Sequence, residues 1–502
     1  MVNPISPGPR LGHGLCYDAK AKQVVLFGGF DKRGTPLSDT WGWDGVKWFL
    51  LAVSGPPARK WPAMAYDPQR GETILFGGLG GAGRSQPPFA DSWRWSVNLH
   101  TNSAGRRTFM RGLIVFFALL LSFLAVSFAA LGSDGDAVLA LIQGVLIDGT
   151  GSELVTDSVI IIRGGLIEAV GSNENTEIPE SAQIIDLAGA YILPGFINAH
   201  VHSGYVEENL RAWAQAGVTT VRDLGTPFAW TTASESVFDD RDQLNEDNVN
   251  ARLISVGPLV TTVGGYGGYA VTSPEDARVK INGLIDGGAN LIKIAIEDDL
   301  QNRRWPMLSQ EEINAIVETA HERGVKATAH ISTSSHLQMA LIAGVDDVAH
   351  MAINPVSGEL LNQTVELGTI WVPTLELWRG ISHRYGLSWD RTARRNLANF
   401  VEAGGIVALG TDYDGFSMPF DLGMPMTEVK QMAQAGMTPM QIIQAATRNA
   451  AVACDMAEQL GTIEQGKIAD LLILNGNPLD DLDHLEDVHL VIHNGIVIRD
   501  NR

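Results

Sequence analysis

Short apolar runs recur through the second half of the chain, each bounded by glycine, proline or polar residues. They cover residues 191–198, 218–221, 253–256, 291–296, 325–329, 345–349, 369–375 and 406–409. Their length and β-branched content predict buried parallel strands, and helical patterns lie between most of them. Eight strands that alternate with helices predict an α/β fold, a (β/α)8 TIM barrel over residues 189–460, whose active site lies at the C-terminal ends of its strands.

Two capping boxes mark helix starts inside this region. Ser309 and Glu312 predict a helix that runs to residue 323, and Thr438 and Gln441 predict a second helix. Pro439 would be the first residue of the second helix, a position where its missing N–H costs nothing. Each helix follows a predicted strand, which is the order that the barrel requires.

Side chains that bind metals or protons stand at the ends of these strands. They are His200, His202, Lys293, His330, His350 and Asp412, on predicted strands one, four, five, six and eight. Because the C-terminal ends of barrel strands meet on one face, the six side chains are predicted to form one metal site. A single histidine is more often structural, and we leave His321, His336 and His383 with that interpretation.

Lys293 lies on a strand with two distinct faces. Isoleucines at 292, 294 and 296 suit packing against helices, whereas Leu291, Lys293 and Ala295 would face the barrel interior. Burial lowers the pKa of a lysine, and a neutral amine can react with carbon dioxide to form a carbamate that bridges two metal ions. A lysine paired with a buried acid fits this strand equally well, and the histidines favour the carbamate.

Together these residues carry a resemblance to a known family. The string LPGFINAHVH, the strand-four lysine, the later histidines, GTD and the string GKIADLLIL resemble the metal-dependent amidohydrolase superfamily, nearest to its imidazolonepropionase-like and prolidase-like branch. The resemblance covers residue 138 to the C terminus. It implies a first metal ion held by His200, His202 and Asp412, a second held by His330 and His350, and a bridging carbamate on Lys293.

The chain departs from the family pattern around two of these histidines. Ala349 and Met351 flank the strand-six histidine, where many relatives have an acidic residue and a glycine. Ile331, Ser332 and Thr333 follow the strand-five histidine, where relatives often have small residues. Mononuclear deaminases of the superfamily usually carry a catalytic glutamate at the position of Thr333. Amide hydrolysis is therefore expected rather than deamination.

The predicted reaction is cleavage of an amide or peptide bond, in a dipeptide or an N-acyl amino acid. Two divalent cations that share a water lower its pKa towards about 7 and polarise the carbonyl, so a metal-bridging hydroxide is the expected nucleophile. Asp412 would be the catalytic acid–base and would carry the proton to the departing nitrogen. Zinc is expected for a nitrogen-rich site, although manganese and cobalt also fit.

Aromatic and basic residues follow several strands, where loops form pocket walls. The candidates for substrate contact are Tyr205, Tyr266, Trp305, Trp378, Arg379 and Tyr413. Packing within the loops is the simpler interpretation for most of them. The resemblance implies a small amide or dipeptide substrate, and an aromatic rim that contains an arginine suits one with a free carboxylate.

The two flanks of the barrel, residues 138–188 and 461–502, alternate short strands with turns. The strings IIIRGGLIEAVG and VIHNGIVI each predict a hairpin with a two-residue turn that contains glycine. We expect the flanks to join in one small β-sandwich. The resemblance implies that this domain contributes no catalytic residue.

Residues 1–97 contain an internal repeat. Tyr17-Asp18 recurs as Tyr66-Asp67 after 49 residues, LFGG recurs at the same spacing, and DTWGW recurs as DSWRW after 52 residues. The pattern resembles two blades of an all-β Kelch propeller, too few to close a ring of about four to eight blades. We hypothesise that residues 1–109 derive from a gene fusion or a misplaced start.

Residues 113–131 form an apolar run with arginines before it and aspartates after it. Read from Met110, residues 110–131 predict a secretory signal peptide, and within a longer chain they predict a marginal single transmembrane helix. Both interpretations place the hydrolase outside the cytoplasm, in the periplasm or the extracellular space.

The net charge limits the classes of molecule that the protein can bind, and the cysteine content bears on disulfides. A net charge of −21 argues against nucleic acid and anionic membrane surfaces, so the only expected membrane contact is through residues 113–131. Cys16 and Cys454 lie in different modules, and no disulfide is expected. We expect a homo-oligomer. Two other functions stay open: a mononuclear cyclic-amide hydrolase or deaminase, and a non-catalytic Kelch-type interaction protein.

Overall fold

The computed structural model describes residues 138–502 except 226–235 and 301–302, and upstream of these residues 7, 10–20, 22–30, 37–43, 45, 47–52, 58–67, 72–78 and 92–95. The chain divides into two compact units, Met1–Val126 and Ser127–Arg502. The predicted signal peptide or transmembrane helix at 110–131 lies outside the described residues, so export stays a prediction. Among the helices that are described, none has the length and apolar content to cross a membrane.

The upstream unit contains two antiparallel sheets that follow the sequence repeat. The first sheet holds β1 (Gly14–Asp18), β2 (Gln23–Phe27), β3 (Thr40–Trp43) and β4 (Trp48–Ala52), and the second holds β5 (Ala63–Asp67), β6 (Glu72–Phe76) and β7 (Ser92–Trp95). Equivalent positions pair in both sheets, since Asp18 lies opposite Gln23 and Asp67 lies opposite Glu72. The repeat is thus a repeat of β-meanders, and its assignment to Kelch blades stays a prediction.

The downstream unit combines a mixed sheet with a barrel of parallel strands and helices. Its strands are β8 (Val138–Leu146), β9 (Val155–Arg163), β10 (Leu166–Ser172), β11 (Gln183–Asp186), β12 (Tyr191–Pro194), β13 (Phe196–Val201), β14 (Val218–Asp223), β15 (Arg252–Ser255), β16 (Val260–Thr262), β17 (Tyr269–Val271), β18 (Ile292–Ala295), β19 (Asp299–Leu300), β20 (Arg303–Arg304), β21 (Ala327–His330), β22 (Asp347–Ala349), β23 (Ile370–Val372), β24 (Leu471–Leu474), β25 (Val488–His493) and β26 (Ile496–Asp500). Its helices are α1 (Glu207–Gln215), α2 (Ser236–Asn245), α3 (Pro274–Asp286), α4 (Gln310–Glu322), α5 (Ser334–Ala343), α6 (Gly358–Glu366), α7 (Leu375–Tyr385), α8 (Trp389–Glu402), α9 (Met426–Gln434), α10 (Pro439–Ala446) and α11 (Arg448–Ala453).

Both flanks of the barrel join in one sheet of eight strands. Their order is β10-β9-β8-β12-β24-β25-β26, with β11 beside β8. The two predicted hairpins are present, and they turn at Gly164-Gly165 and at Asn494-Gly495, where all four residues have the positive φ of a type I′ turn. The sequence predicts one small β-sandwich from these flanks; hydrogen bonds connect their strands in one continuous sheet, and its folding into a sandwich stays a prediction.

The first predicted barrel strand is in fact two strands. β12 pairs with β8 and β24 of the mixed sheet, whereas β13 pairs with β14 of the barrel. Gly195 separates them, and a Cβ at this position would lie 2.2 Å from Oγ1 of Thr219. The apolar pattern does not reveal this break because both strands are buried.

Parallel strands and one irregular segment form the barrel. β13, β14 and β15 make one parallel sheet, and β18, β21, β22 and β23 pair in parallel in another. The predicted eighth strand, 406–409, is extended without a full ladder. It still closes the barrel, since Ala408 N–H donates to Trp371 O at 3.0 Å and Ala199 N–H donates to Leu409 O at 2.9 Å. The predicted barrel is therefore confirmed, with an additional domain built from its flanks.

The strand faces and the helix starts follow the sequence patterns. Isoleucines at 292, 294 and 296 pack in the large cluster that includes the helices, whereas Leu291 packs with inward-facing residues of other strands, such as Ala349 and Val372. Both predicted capping boxes are present, with Ser309 starting α4 and Thr438 starting α10. Alternation along a strand therefore predicted which side of β18 faces the barrel interior.

A buried ion pair lies in this interior, and the sequence did not indicate it. Arg222 on β14 donates to both carboxylate oxygens of Asp347 on β22, at 2.9 and 3.0 Å, and both side chains are fully buried. Thr328 also donates to Asp347, at 2.6 Å. The pair therefore links β14 to β22 inside the barrel.

Replacing Arg222 with alanine should lower the free energy of unfolding by about 3–5 kcal/mol, because it leaves Asp347 buried without its cation. Urea unfolding measures this change. The matched control is Arg163→Ala, which removes an exposed pair with Glu168 and should cost less than about 1 kcal/mol. Equal losses in the two variants would contradict this account.

Candidate metal centre

Six predicted ligands converge at the C-terminal face of the barrel. His200 lies on β13 and His330 ends β21, while His202, His350 and Asp412 directly follow barrel segments. Lys293 lies inside β18 with its side chain 1% exposed. They come from five separate barrel segments, with His200 and His202 on the same one, and the barrel brings them to one place.

Three of these residues place their donor atoms around one point. Nε2 of His200 and Nε2 of His202 lie 2.8 and 3.0 Å from Oδ1 of Asp412, and 3.1 Å from each other. Ligand atoms on a tetrahedral zinc ion, with bonds of about 2.0–2.2 Å, are separated by about 3.3 Å. Two imidazole nitrogens and a carboxylate at this spacing fit one divalent metal ion.

The other two histidines lie directly beside this group. The ring of His350 is 4.9 Å from that of His200 and 4.6 Å from that of His330, measured between centroids. Nζ of Lys293 is buried and makes no hydrogen bond with any described residue. Burial lowers the pKa of Lys293 to about 7, so its amine is readily neutral.

Burial and mutual proximity set the charges of the other ligands. Burial lowers the pKa of His200 and of His350 well below the usual range, which keeps both imidazoles neutral, as metal ligands must be. Burial alone would raise the pKa of Asp412, but His200, His350 and His202 lower it well below its usual range. Burial also disfavours protonation of His202, but Asp412 raises its pKa, so a metal ion would compete with a proton there.

Unusual backbone conformations aim two of the ligands. His350 and Asp412 have φ of 70° and 66°, in the left-handed region that costs a residue with a side chain about 1–3 kcal/mol. Gly410, two residues before Asp412, has no room for a side chain because a Cβ would lie 2.4 Å from Val372 and 2.9 Å from Cβ of His200. The GTD string is thus shaped to bring Asp412 against His200.

Each of three histidines has one ring nitrogen bound to a partner outside the centre. Nδ1 of His202 contacts the carbonyl of Gly225, and Nδ1 of His350 is hydrogen bonded to Oγ1 of Thr374 at 2.8 Å. Nε2 of His330 lies 3.2 Å from Oε2 of Glu297. Such partners fix the tautomer of a ligand and leave its other nitrogen for the metal.

Thr374 is free to bind His350 because another residue caps its helix. Thr374 occupies the N-cap position of α7, but its side chain makes no hydrogen bond to the N–H groups at the start of that helix. Glu428 from α9 accepts the N–H groups of Leu375 and Glu376 instead, at 3.0 and 2.6 Å. The sequence did not indicate this exchange, since the capping carboxylate lies 53 residues from Leu375.

The predicted substrate-contact residues separate into two groups. Tyr266 stacks on His330 with centroids 4.6 Å apart, Trp305 meets Tyr266 edge-on at 5.6 Å, and Trp378 lies 5.8 Å from His350. Tyr266 and Trp305, both partly exposed, form an aromatic wall beside His330, whereas Trp378 is 1% exposed and packs against His350. The guanidinium of Arg303 lies 3.7 Å from the ring of Trp305 and extends this wall.

The remaining three candidates point elsewhere. Tyr205 donates to Ser255 at 2.7 Å, and Tyr413 is buried with its ring 5.2 Å from that of Trp213. Arg379 lines a separate cavity of about 250 Å³ with Arg394 and other residues of α8 and α9. The arginine beside the aromatic wall is Arg303, which the sequence analysis missed although it precedes Trp305 by two residues.

Comparison with known proteins decides the family. The amidohydrolase family model matches residues 191–498, more than half of the chain. The chain belongs to the amidohydrolase family. As an amidohydrolase it is an enzyme that acts on carbon–nitrogen bonds of small molecules, and both the predicted family and the predicted enzyme class are confirmed.

Similar proteins include two curated enzymes and a solved structure. This amidohydrolase is 27% identical over 376 residues to the imidazolonepropionase of Thermoanaerobacter pseudethanolicus, covering 65% of this chain and 86% of that one. It is 25% identical over 426 residues to the ochratoxinase of Aspergillus niger, covering 72% and 86%. The structure of a Xaa-Pro dipeptidase with bound methionine matches with a TM-score of 0.64 at 24% identity, covering 72% and 99%, which shows the shared fold.

Proposed function

We propose that this amidohydrolase is a binuclear metal enzyme that cleaves the amide or peptide bond of a dipeptide or an N-acyl amino acid. The observation that carries the proposal is the buried Nζ of Lys293 near the histidines and Asp412, which has no hydrogen-bond partner among the described residues. Burying an amine without a hydrogen-bond partner lowers the stability of the fold, so the retention of this lysine points to a chemical use. A carbamate on Nζ would supply that use, as a ligand shared by two cations.

The residues divide between two proposed metal sites. His200, His202 and Asp412 would hold the first cation, His330 and His350 the second, and Lys293 as a carbamate would bridge them. The nitrogen-rich donor set favours zinc. Bound cations would supply Lewis-acid polarisation of the scissile carbonyl and a lowered pKa of water.

Asp412 is the proposed acid–base. Its carboxylate stays ionised because its pKa is held low, and Oδ1 lies between the two histidine nitrogens. From there it would accept the proton of the attacking water and deliver it to the departing nitrogen.

Substrate binding would use the aromatic wall. Tyr266 and Trp305 offer apolar surface beside His330, Trp378 packs beneath that surface against His350, and Arg303 offers a cation for a free carboxylate. The names of two similar proteins, a Xaa-Pro dipeptidase and an ochratoxinase, support an amide or peptide substrate.

A mononuclear cyclic-amide hydrolase is the second candidate, favoured by the similarity to an imidazolonepropionase. A deaminase has less support, because Thr333 is the N-cap of α5 and its side chain accepts the N–H of His336 at 3.4 Å. The position of the expected catalytic glutamate thus carries a helix-capping hydroxyl.

Counting metal ions in the purified enzyme separates these functions. Inductively coupled plasma analysis should find two divalent ions per chain, and His330→Ala should lose one of them. The control, His383→Ala, removes an exposed histidine of α7 and should keep both. Loaded enzyme should hydrolyse dipeptides or N-acyl amino acids in a substrate screen. One ion per chain with turnover of cyclic amides alone would overturn the proposal.

A further inference from the structure

We propose that Glu297 is a positioning residue, which holds His330 with its Nδ1 turned towards the second metal. The inference rests on the proposed function, since it takes His330 as a metal ligand. Glu297 follows β18 four residues after Lys293, and it is 1% exposed. A buried carboxylate at the edge of a metal centre requires partners.

Those partners fix both oxygens of the carboxylate. Oε2 of Glu297 lies 3.2 Å from Nε2 of His330, and Oε1 accepts the N–H of Asp299 at 2.8 Å. Because a carboxylate only accepts, Nε2 of His330 must carry the proton and donate it. The lone pair of the ring then lies on Nδ1, which is the state required for binding a cation there.

Two neighbouring rings fix the plane of His330. Tyr266 stacks on it at 4.6 Å with an interplanar angle of 26°, and His350 approaches at 4.6 Å with an angle of 73°. Stacking limits tilting of the imidazole, and the bond to Glu297 selects one of its two flipped orientations. Both constraints together present the same nitrogen to the centre.

Glu297 differs from the corresponding partners of the other histidines in its charge. His202 and His350 contact a carbonyl and a hydroxyl, whereas His330 contacts a carboxylate. An anionic partner raises the basicity of the ligand nitrogen more than a neutral one. Glu297 should therefore strengthen the second metal site, which otherwise has two neutral histidines and a shared bridge.

The segment after Glu297 is held by a second contact. Asp298 accepts from Nε2 of His336 at 3.0 Å, and Nδ1 of His336 lies 3.3 Å from Oγ of Ser332. Glu297, Asp298 and His336 are close enough to resemble a separate cation site. Since each already has a partner within this group of contacts, we assign no third metal ion to them, and only Glu297 contacts a proposed metal ligand.

Metal titration of Glu297→Ala tests the assignment. Competition with a chelating dye should show one of the two metal ions binding about 10–100-fold more weakly, while the other affinity is unchanged. Glu297→Gln keeps the shape and one acceptor oxygen, so it should show a smaller loss and serves if the alanine variant does not fold. The control, Asp298→Asn, changes the neighbouring half-exposed carboxylate and should keep both affinities.

Other outcomes are decisive as well. Unchanged affinities in folded Glu297→Ala would overturn the positioning role. Three ions in the wild type and two in the variant would make Glu297 a direct ligand and would also overturn it. A wild type with a single ion would overturn the binuclear function separately. In that case a weaker affinity for the single ion in Glu297→Ala would support the positioning role, and an unchanged affinity would overturn it.

Discussion

Alanine in place of Lys293 should lower kcat/KM for an amide substrate by at least about 10³-fold. The expected loss is large because the bridging ligand organises the two cations, and metal catalysis contributes several kcal/mol, with each 1.36 kcal/mol worth a factor of ten. Steady-state assays of metal-loaded wild type and variant measure the ratio. Restoration of activity by added formate or propionate would be expected, since a small carboxylate can enter the space left by the side chain.

The control for this variant is another lysine of the barrel. Lys326 precedes β21 at the opposite end of the barrel, where Nζ donates to the carbonyl of Val452. Lys326→Ala should keep its activity, because the change is remote from the metal ligands. Full activity of Lys293→Ala without any added carboxylate would contradict the bridging carbamate.

Stability should respond to Lys293→Ala in a different way from activity. Nζ of Lys293 has no hydrogen-bond partner among the described residues, so its removal breaks no bond and relieves the cost of burying an amine. The cavity that remains opposes this gain. Because these two effects on stability oppose each other, the loss of activity in Lys293→Ala should not be accompanied by a matching loss of stability. This is expected for a group retained for chemistry and not for folding.

Local patterns explain why the barrel and the ligands were predictable from sequence. Each ligand lies in or directly after a short apolar run, and parallel strands of a barrel all end on the same face. His200, Lys293 and Asp412 could thus be grouped although they lie far apart in the chain. Alternation along β18 was sufficient to turn Lys293 inward.

Contacts between distant segments explain what was missed. Arg222 and Asp347 are 125 residues apart, and Glu297 and His330 are 33 apart, so no local pattern pairs them. The sequence predicted Arg379 at the site, whereas Arg303 is the arginine found there, and the geometry of one helix explains why Arg379 points elsewhere. Trp378 and Arg379 are adjacent in α7, where successive side chains point about 100° apart, so a helix that turns Trp378 to His350 turns Arg379 away.

Asparagine in place of Asp412 should lower kcat by about 10²–10⁴-fold even when the metal sites are filled. The amide has the size of the carboxylate and can still coordinate through its oxygen, but it can neither take up nor release the proton that the departing nitrogen needs. The first metal should also bind more weakly, because an anionic ligand becomes neutral. The measurement is kcat as a function of metal concentration.

Metal titration separates the two roles of Asp412. If the carboxylate only bound metal, excess metal would restore full occupancy and full kcat in Asp412→Asn, and this result would contradict the acid–base role. We expect occupancy to recover while kcat stays low. Asp414→Asn is the control, since Asp414 lies in the same loop and accepts the N–H groups of Phe416 and Ser417, both at 2.9 Å, without contacting the histidines. Its kcat should remain close to that of the wild type, which would assign the loss in Asp412→Asn to the proton and not to the loop.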